Sequence, residues 1–532
     1  MKKLIAILLC LAMLLSLSAC ERGEKGDKGD KGDQGAQGVQ GEQGPQGVPG
    51  AAGVGIEKTE IINGELIVTY TDGTKINLGK VVGADGAQGP QGAQGPQGAP
   101  GAAGVGVEKI EIINGELVVT YTDGTKVNLE NPQGLDFYPL PDGTYGVMAG
   151  NALYLEEISI PATYKGKAVT QILPNAFSSA TNLKKIVIAD SVTSIGGAAF
   201  RGCSNLASIT IPDSVTSIGS SAFSSCSNLS YTVYNNGKYL GNATNPYVVL
   251  VKVVDKTVTS FTIPNTTKAI YDSAFYNCSS LASITIGNGV ESIGNYAFWG
   301  CSSLASITIP DSVTSIGDDA FYNCSSLASI TIPFVGATKD GTSNTHFGYI
   351  FGASLADFNG SYVPTSLKTV VITGGTSIGS SAFRNCSSLA SITIPDSVTS
   401  IGSSAFYGCS SLASITIPFV GATKDGTSNT HFGYIFGAYG YSDNEYYVPT
   451  SLKNVVITGG TSIGERAFYG CSSLASVYYT GTASEWEDTI DSYYGTEIPS
   501  SATIYYYSAT APTTAGNYWR YVGGVPTPWE NQ

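Results

Sequence analysis

An Ala-Phe pair returns along the chain, with its Phe at positions 177, 200, 223, 275, 298, 321, 383, 406 and 468. The usual step is 23 residues; the exceptions, 52 and twice 62, are that step plus 29 or 39. A unit this short buries no core alone, so it is stable only when stacked on copies of itself. Residues 297–317 are a clean copy. Leu304, Ile307 and Ile309 have the spacing of a short strand turned inward, with Ser306 and Thr308 facing out. Val313 and Ile316 make a second inward edge, Pro310 and Gly317 mark corners, and Ala297 and Phe298 fill the third side. The expected fold is a β-rich repeat solenoid.

Leu-x-x-Ile-x-Ile at a period in this range is the leucine-rich-repeat signature. The variant here, with Ala-Phe-x-x-Cys, Ile-Pro and Val-x-x-Ile-Gly, resembles the BspA-like repeats of bacterial surface proteins over residues 134–532. The resemblance implies 23-residue β-rich coils, and it implies adhesion, because that family includes adhesins for host matrix proteins or other bacteria. Residues 134–180 then hold an N-terminal cap and the first repeat, 181–480 the array, and 481–532 a C-terminal cap carrying Trp486, Tyr505–Tyr507 and Trp519. Inserts interrupt the period at 232–260, 334–365 and 419–450.

Eight cysteines follow the repeat Phe by three residues, at 203, 226, 278, 301, 324, 386, 409 and 471, and position 180 is Ala. One Cys per coil at one phase reads as a ladder of buried thiols. Disulfides between neighbouring coils are the alternative.

The N-terminal quarter differs. Lys2 and Lys3 precede an apolar run from Leu4 to Leu15, which ends in Leu17-Ser18-Ala19-Cys20. This resembles a bacterial lipobox, which implies a signal peptide over 1–19 and a lipid on Cys20. Glycine then recurs every third residue from Gly23 to Gly53 and again from Gly83 to Gly104. Only Gly fits the axis of a collagen triple helix, so 20–55 and 83–106 read as collagen-like segments, the alternative being a Gly-rich linker. Between and after them, 56–82 and 107–133 are two copies of one module with Asn-Gly and Asp-Gly turns, each expected to be a three-stranded β-meander. These modules are expected to clamp a homotrimer; a monomeric spacer is the rival. The implied location is the bacterial cell surface, held to the membrane by lipid alone.

The formal charge is −14, which argues against nucleic-acid binding. No catalytic constellation stands out. The two histidines, His346 and His431, occupy equivalent places in two copies of one insert, and no paired Cys-x-x-Cys or phosphate-binding loop occurs. No enzyme, cofactor or metal site is expected. The inserts are more informative. Residues 334–353 are identical to 419–438, whereas 354–362 diverge from 439–447 before both copies resume Val-Pro-Thr-Ser-Leu-Lys. A constant frame with a variable tip suits a binding loop on a rigid scaffold, and the second tip is rich in adaptable Tyr, Ser, Gly and Asn. The candidate ligand-binding residues are Phe358, Tyr362, Tyr439, Tyr441, Asp443, Tyr446 and Tyr447. The outward Ser/Thr row, such as Ser306 with Thr308 and Ser329 with Thr331, is a second candidate surface. The expected function is adhesion to a host extracellular-matrix or cell-surface protein, a glycan or other bacteria. A structural surface component without a specific ligand is the alternative.

Overall fold

The structure is a computed structural model, and it describes residues 56–62, 65–70, 75–80, 107–113, 116–122, 124, 126–129, 134–459, 463–490 and 495–529. The expected signal peptide, Cys20 and both segments expected to be collagen-like lie outside the described residues. Each N-terminal module is an antiparallel three-stranded sheet: Ile56–Ile62, Glu65–Tyr70 and Lys75–Lys80 in the first, Val107–Ile113, Glu116–Tyr121 and Lys126–Leu129 in the second.

From Gly134 onward the chain winds into a solenoid. Each regular coil contributes a three- or four-residue strand to one wall and a two-residue strand to another. Parallel register joins Ser306–Thr308 to Ser329–Ile332, with Ile307 beside Ile330, and joins Ser292–Ile293 to Ser315–Ile316. Alternation sets the burial: Ile307 is buried, while Ser306 and Thr308 are exposed.

A third wall carries no strands yet is hydrogen-bonded from coil to coil. Tyr296, Phe298 and Gly300 donate their amides to the carbonyls of Asp318, Ala320 and Tyr322 at 3.0, 2.7 and 2.9 Å. This alignment needs left-handed backbone on both sides of the Phe: φ is +58° at Tyr296 and +72° at Gly300. A non-glycine residue in that region costs roughly 1–2 kcal/mol, so the inter-coil bonds offset a local strain at Ala198, Ser221, Asp319 and their equivalents. Inside the wall the repeat phenylalanines stack, with centroids 5.4 Å apart for Phe177 and Phe200 and 5.1 Å for Phe298 and Phe321.

The cysteines settle beside this stack as buried free thiols. Cys301, Cys324 and Cys409 donate S–H to the Phe carbonyl of the preceding coil, at 3.3, 3.2 and 3.2 Å. Burial pushes the Cys278 thiol up to about 11 and the Cys471 thiol up to about 12. Both stay protonated at neutral pH, which removes the nucleophile that disulfide exchange needs.

The array is not one uninterrupted stack. In the 29-residue insert, Thr232–Tyr234, Gly237–Leu240 and Val249–Val253 form an antiparallel meander whose last strand pairs in parallel with Ala269–Ile270. That strand is a partition between two cores. Val249 and Val251 face the core of the first coils, and Leu250 and Val253 face the core of the later ones.

Both ends are closed. At the start, Asp136–Pro139 pairs antiparallel with Tyr145–Met148. At the finish, the helix Ala483–Thr489 opens with a Thr482/Glu485 capping box and buries Trp486 against Tyr479. The hairpin Tyr518–Val522/Val525–Pro528 then ends a ten-stranded sheet, with Pro526 and Pro528 on its edge strand. Proline on an edge blocks further strand addition. Trp519 is buried against Val456 and Tyr478, so the cap covers one end of the outward sheet face that the Ser/Thr pattern leaves open to solvent.

Candidate functional site

The two 39-residue inserts are not loops hung on the outside. Their constant halves act as coils. Phe321 donates its amide to Ile350 and Phe347 donates to Ala382, so the insert continues the third wall. Its rings continue the stack: Phe321 to Phe351 is 6.2 Å and Phe347 to Phe383 is 4.8 Å. The second copy repeats this, with Phe406 to Phe436 at 6.1 Å and Phe432 to Phe468 at 5.1 Å. The strand wall closes over both inserts without a gap, Ser329–Ile332 pairing directly with Thr369–Ile372 and Ser414–Ile417 with Asn454–Ile457.

Only the tips are displayed, and each is pinned by one buried asparagine. Asn359 Nδ2 donates to Ala382 O at 3.0 Å, and its Oδ1 accepts from Gly348 N at 3.0 Å. Asn444 makes the same two bonds with Ala467 and Gly433, both at 3.0 Å. Each tip is a turn of 3-10 helix, Ala356–Phe358 or Tyr441–Asp443, running into one α-turn, Asn359–Tyr362 or Asn444–Tyr447. The histidines lie beneath. Burial holds His346 below its ordinary value, so it is a neutral packing group. Among the described residues no cluster of His, Cys, Asp or Glu is placed to hold a metal ion.

The tips differ together with the coil each one rests on. In the first insert, Asp357 forms an ion pair with Arg384, with 2.8 Å between Oδ1 and Nε. In the second, the equivalent residues are Ser442 and Tyr469, and Arg466 instead donates to the Tyr441 hydroxyl at 3.0 Å and pairs with Glu497. The first copy has Ala356 and Ser381 in the places of Tyr441 and Arg466. A third exchange is steric. Gly360 lies against Asn385, where a Cβ would meet the Asn385 carbonyl oxygen at 2.6 Å. In the second copy the small residue has moved to the coil: Gly470 faces Glu445, and a Cβ on Gly470 would lie 3.0 Å from the Glu445 Cβ. Tip and support are matched sets in each copy.

The candidate residues therefore divide. Tyr439 and Tyr446 are 91% and 77% exposed. Tyr441 is braced by Arg466 and by the Tyr469 ring. Tyr447 is half-buried against Tyr407, and Tyr362 occupies the same place against Tyr322. Phe358 is exposed on the first tip, where the second has Asp443.

Toward the following coil both tips pack closely, leaving clefts of about 10 and 20 Å³. Toward the preceding coil the second tip leaves a groove of about 740 Å³ between Tyr407, Gly408 and Ser410 on one side and Asp443, Glu445 and Tyr446 on the other. The groove brings together Asp443, Tyr446 and Tyr447 and leaves Tyr439 and Tyr441 outside its lining. Tyr407, Glu445 and the two pinning asparagines are additions that reading the tip alone does not single out. Superposing the copies at their 85-residue offset exposes the asparagines, because Asn and the final Tyr are the tip residues the copies share.

The arrangement is a parallel β-solenoid displaying two short tips. Residues 150–244, 254–340, 359–427 and 441–494 match the BspA type leucine rich repeat region, in six copies. The chain belongs to that family. The unmatched gaps fall inside the three inserts. Three solved structures are similar to it. A leucine rich cell surface protein from Faecalibacterium prausnitzii is 24% identical, with 68% of this chain and 96% of that chain covered and a TM-score of 0.22. A leucine-rich repeat protein from Eubacterium ventriosum is 23% identical over 54% of this chain and 89% of its own, with a TM-score of 0.28. One from Bacteroides ovatus is 22% identical over 70% and 98%, with a TM-score of 0.21. No curated protein gave a significant match.

Proposed function

We propose that this chain is a bacterial cell-surface adhesion protein that engages its ligand through the second insert tip. The observation that carries the reading is the matched replacement of tip and supporting coil. An unconstrained loop drifts alone, whereas here Tyr441 is accompanied by Arg466 and Glu445 by Gly470. A rigid frame with an exchanged, braced tip keeps the ordering cost of binding low. The resemblance of Leu17–Cys20 to a lipobox supports anchoring at the membrane surface, and the glycine triplets support a trimeric stalk that would present three solenoids at once. The ligand is a matrix protein, a surface glycan or another bacterium.

The test is solid-phase binding of the full chain to a panel of matrix proteins, mucin and bacterial cells. A variant carrying residues 354–362 in place of 439–447 runs beside it. Adhesion that is lost in the exchanged chain, with unchanged circular dichroism, supports the tip; equal adhesion removes it. Sedimentation of the full chain should give a trimer, and a monomer ends the avidity argument. The regularity of the remaining coils favours one other reading, a structural surface component. Absence of binding across the whole panel would favour that one.

A further inference from the structure

We propose that the groove beside the second tip accepts a cationic side chain, lysine or arginine, from an extended segment of a protein partner. This rests on the reading that the second tip is the binding element, and it names the chemistry of the ligand.

The groove offers carboxylates and phenol rings together. Asp443, Glu445, Tyr407 and Tyr446 line it. Among the described residues neither carboxylate is paired with a basic side chain. The Glu445 carboxylate beside it raises the Tyr446 phenol above its ordinary value. A ring beside a carboxylate is suited to a cation, because the ring face and the carboxylate attract the same charge. The molecule already uses this chemistry at the groove's margin: the Arg384 guanidinium lies 4.9 Å from the centre of the Tyr407 ring. A sugar needs bare ring faces, and Tyr407 has Arg384 over its ring and Tyr447 tilted against it at 6.2 Å.

The first insert supplies an internal contrast on an identical frame. Phe358, Gly360 and Ser361 stand where the second has Asp443, Glu445 and Tyr446, so Asp443, Glu445 and the Tyr446 phenol beside them are peculiar to the second copy. The acids and the Tyr446 phenol coincide in one copy, and together they specify charge. The groove is open to solvent between tip and coil, which admits one side chain of an extended peptide.

The experiment is calorimetric titration of the full chain with a short peptide of alternating lysine and glycine, the same peptide Nε-acetylated, and a set of neutral oligosaccharides. The lysine peptide binds, the acetylated one does not, and binding weakens with added salt. The Asp443→Asn, Glu445→Gln double variant keeps shape without charge and weakens binding about tenfold, as does Tyr446→Ala. Equal binding of both peptides, or of the double variant and the native chain, overturns the proposal. So does a neutral sugar whose binding is lost in Tyr446→Ala while the lysine peptide fails to bind; that outcome keeps the groove as the site and changes its ligand. If the lysine peptide fails but the tip exchange still abolishes surface adhesion, the cationic ligand falls and the adhesion reading stands.

Discussion

The two 39-residue inserts begin as the same sequence and end as different surfaces. Residues 334–353 and 419–438 are identical, and they fold into the same ring stack and the same amide bonds to the next coil. Beyond them, one tip is tied by an Asp357–Arg384 ion pair, and the other is braced by Arg466 on Tyr441 and opens a groove. The lesson is that variation is confined to where the array does not need it. The frame closes the solenoid, so it is held; the tip residues that differ bear on the following coil, so they can change if that coil changes with them.

If the frames are equivalent, damage to them must cost the same in both copies. Phe347→Ala and Phe432→Ala each remove a fully buried ring from the stack and should destabilise the surrounding coils by about 3–5 kcal/mol. Hydrogen exchange of the flanking coils measures this locally, which suits an array whose stability is a sum over neighbours. Costs that differ clearly between the copies would break the equivalence. Asn359→Ala and Asn444→Ala come next. Each leaves a buried glycine amide, Gly348 or Gly433, without its partner and takes one of two donors from the Ala382 or Ala467 carbonyl, at a cost of about 1–3 kcal/mol, and each should loosen its own tip first.

The thiols before the two inserts give a pH test of the same equivalence. Burial pushes Cys324 and Cys409 each up to about 12, from an ordinary 9.0. Between those values the unfolded thiol has lost its proton and the folded one has kept it. Stability is therefore intact below pH 9 and falls as pH rises through the window, by about 1.4 kcal/mol per unit for each thiol. Denaturation under reducing conditions should show the two coils weakening in parallel. Cys324→Ala and Cys409→Ala should each reduce the slope by the same amount, and a slope unaffected by either substitution would contradict the buried thiol ladder.

How much of this could be read from residues follows from what each feature depends on. Which residues of a coil face inward is a matter of period, and Leu304, Ile307, Val313, Ile316 and Cys301 are all buried. The third wall is not a matter of period. Tyr296, Asp319 and Arg466 are unremarkable side chains forced to positive φ by bonds to the next coil, and nothing in their chemistry announces it. The inserts look like interruptions because their step is wrong, yet Phe347 and Phe351 occupy the stack from a 3-10 turn that carries no repeat motif. The strand Val249–Val253 reads as a packed hairpin strand, but that it divides two cores depends on neighbours more than one coil away. Within the tips, the Tyr-rich composition was legible; which tyrosines are free was not, since Arg466 lies outside the insert.

Exchanging the steric pair sharpens the contrast between the copies. Gly470→Asn gives the second copy the residue of the first and should cost about 1 kcal/mol, because Asn tolerates φ of +72° but its Cβ presses on Glu445. Adding Glu445→Gly should return most of that loss, since the first copy holds Asn385 beside a glycine, Gly360. Additive effects in this double-mutant cycle would mean that tip and coil vary independently.

The smallest effect should come from the braces themselves. Arg384 and Arg466 are partly exposed, and ion pairs in such settings contribute little because water screens them and ordering two long side chains offsets the attraction. Arg384→Ala and Arg466→Ala should each raise the opening rate of their tip by no more than about fivefold, read as amide exchange over 354–362 and 439–447. The value of Arg466 lies in direction: it holds Tyr441 down on the coil, away from the groove side where Tyr446 stands free. Arg466→Ala should therefore change ligand affinity more than it changes stability, whereas Arg384→Ala, beneath the tip that lacks the acids, should reach the groove only through the Tyr407 ring it covers. A large loss of stability from Arg466→Ala would make the brace part of the frame, and the division between constant frame and variable tip would then have to be drawn one coil further on.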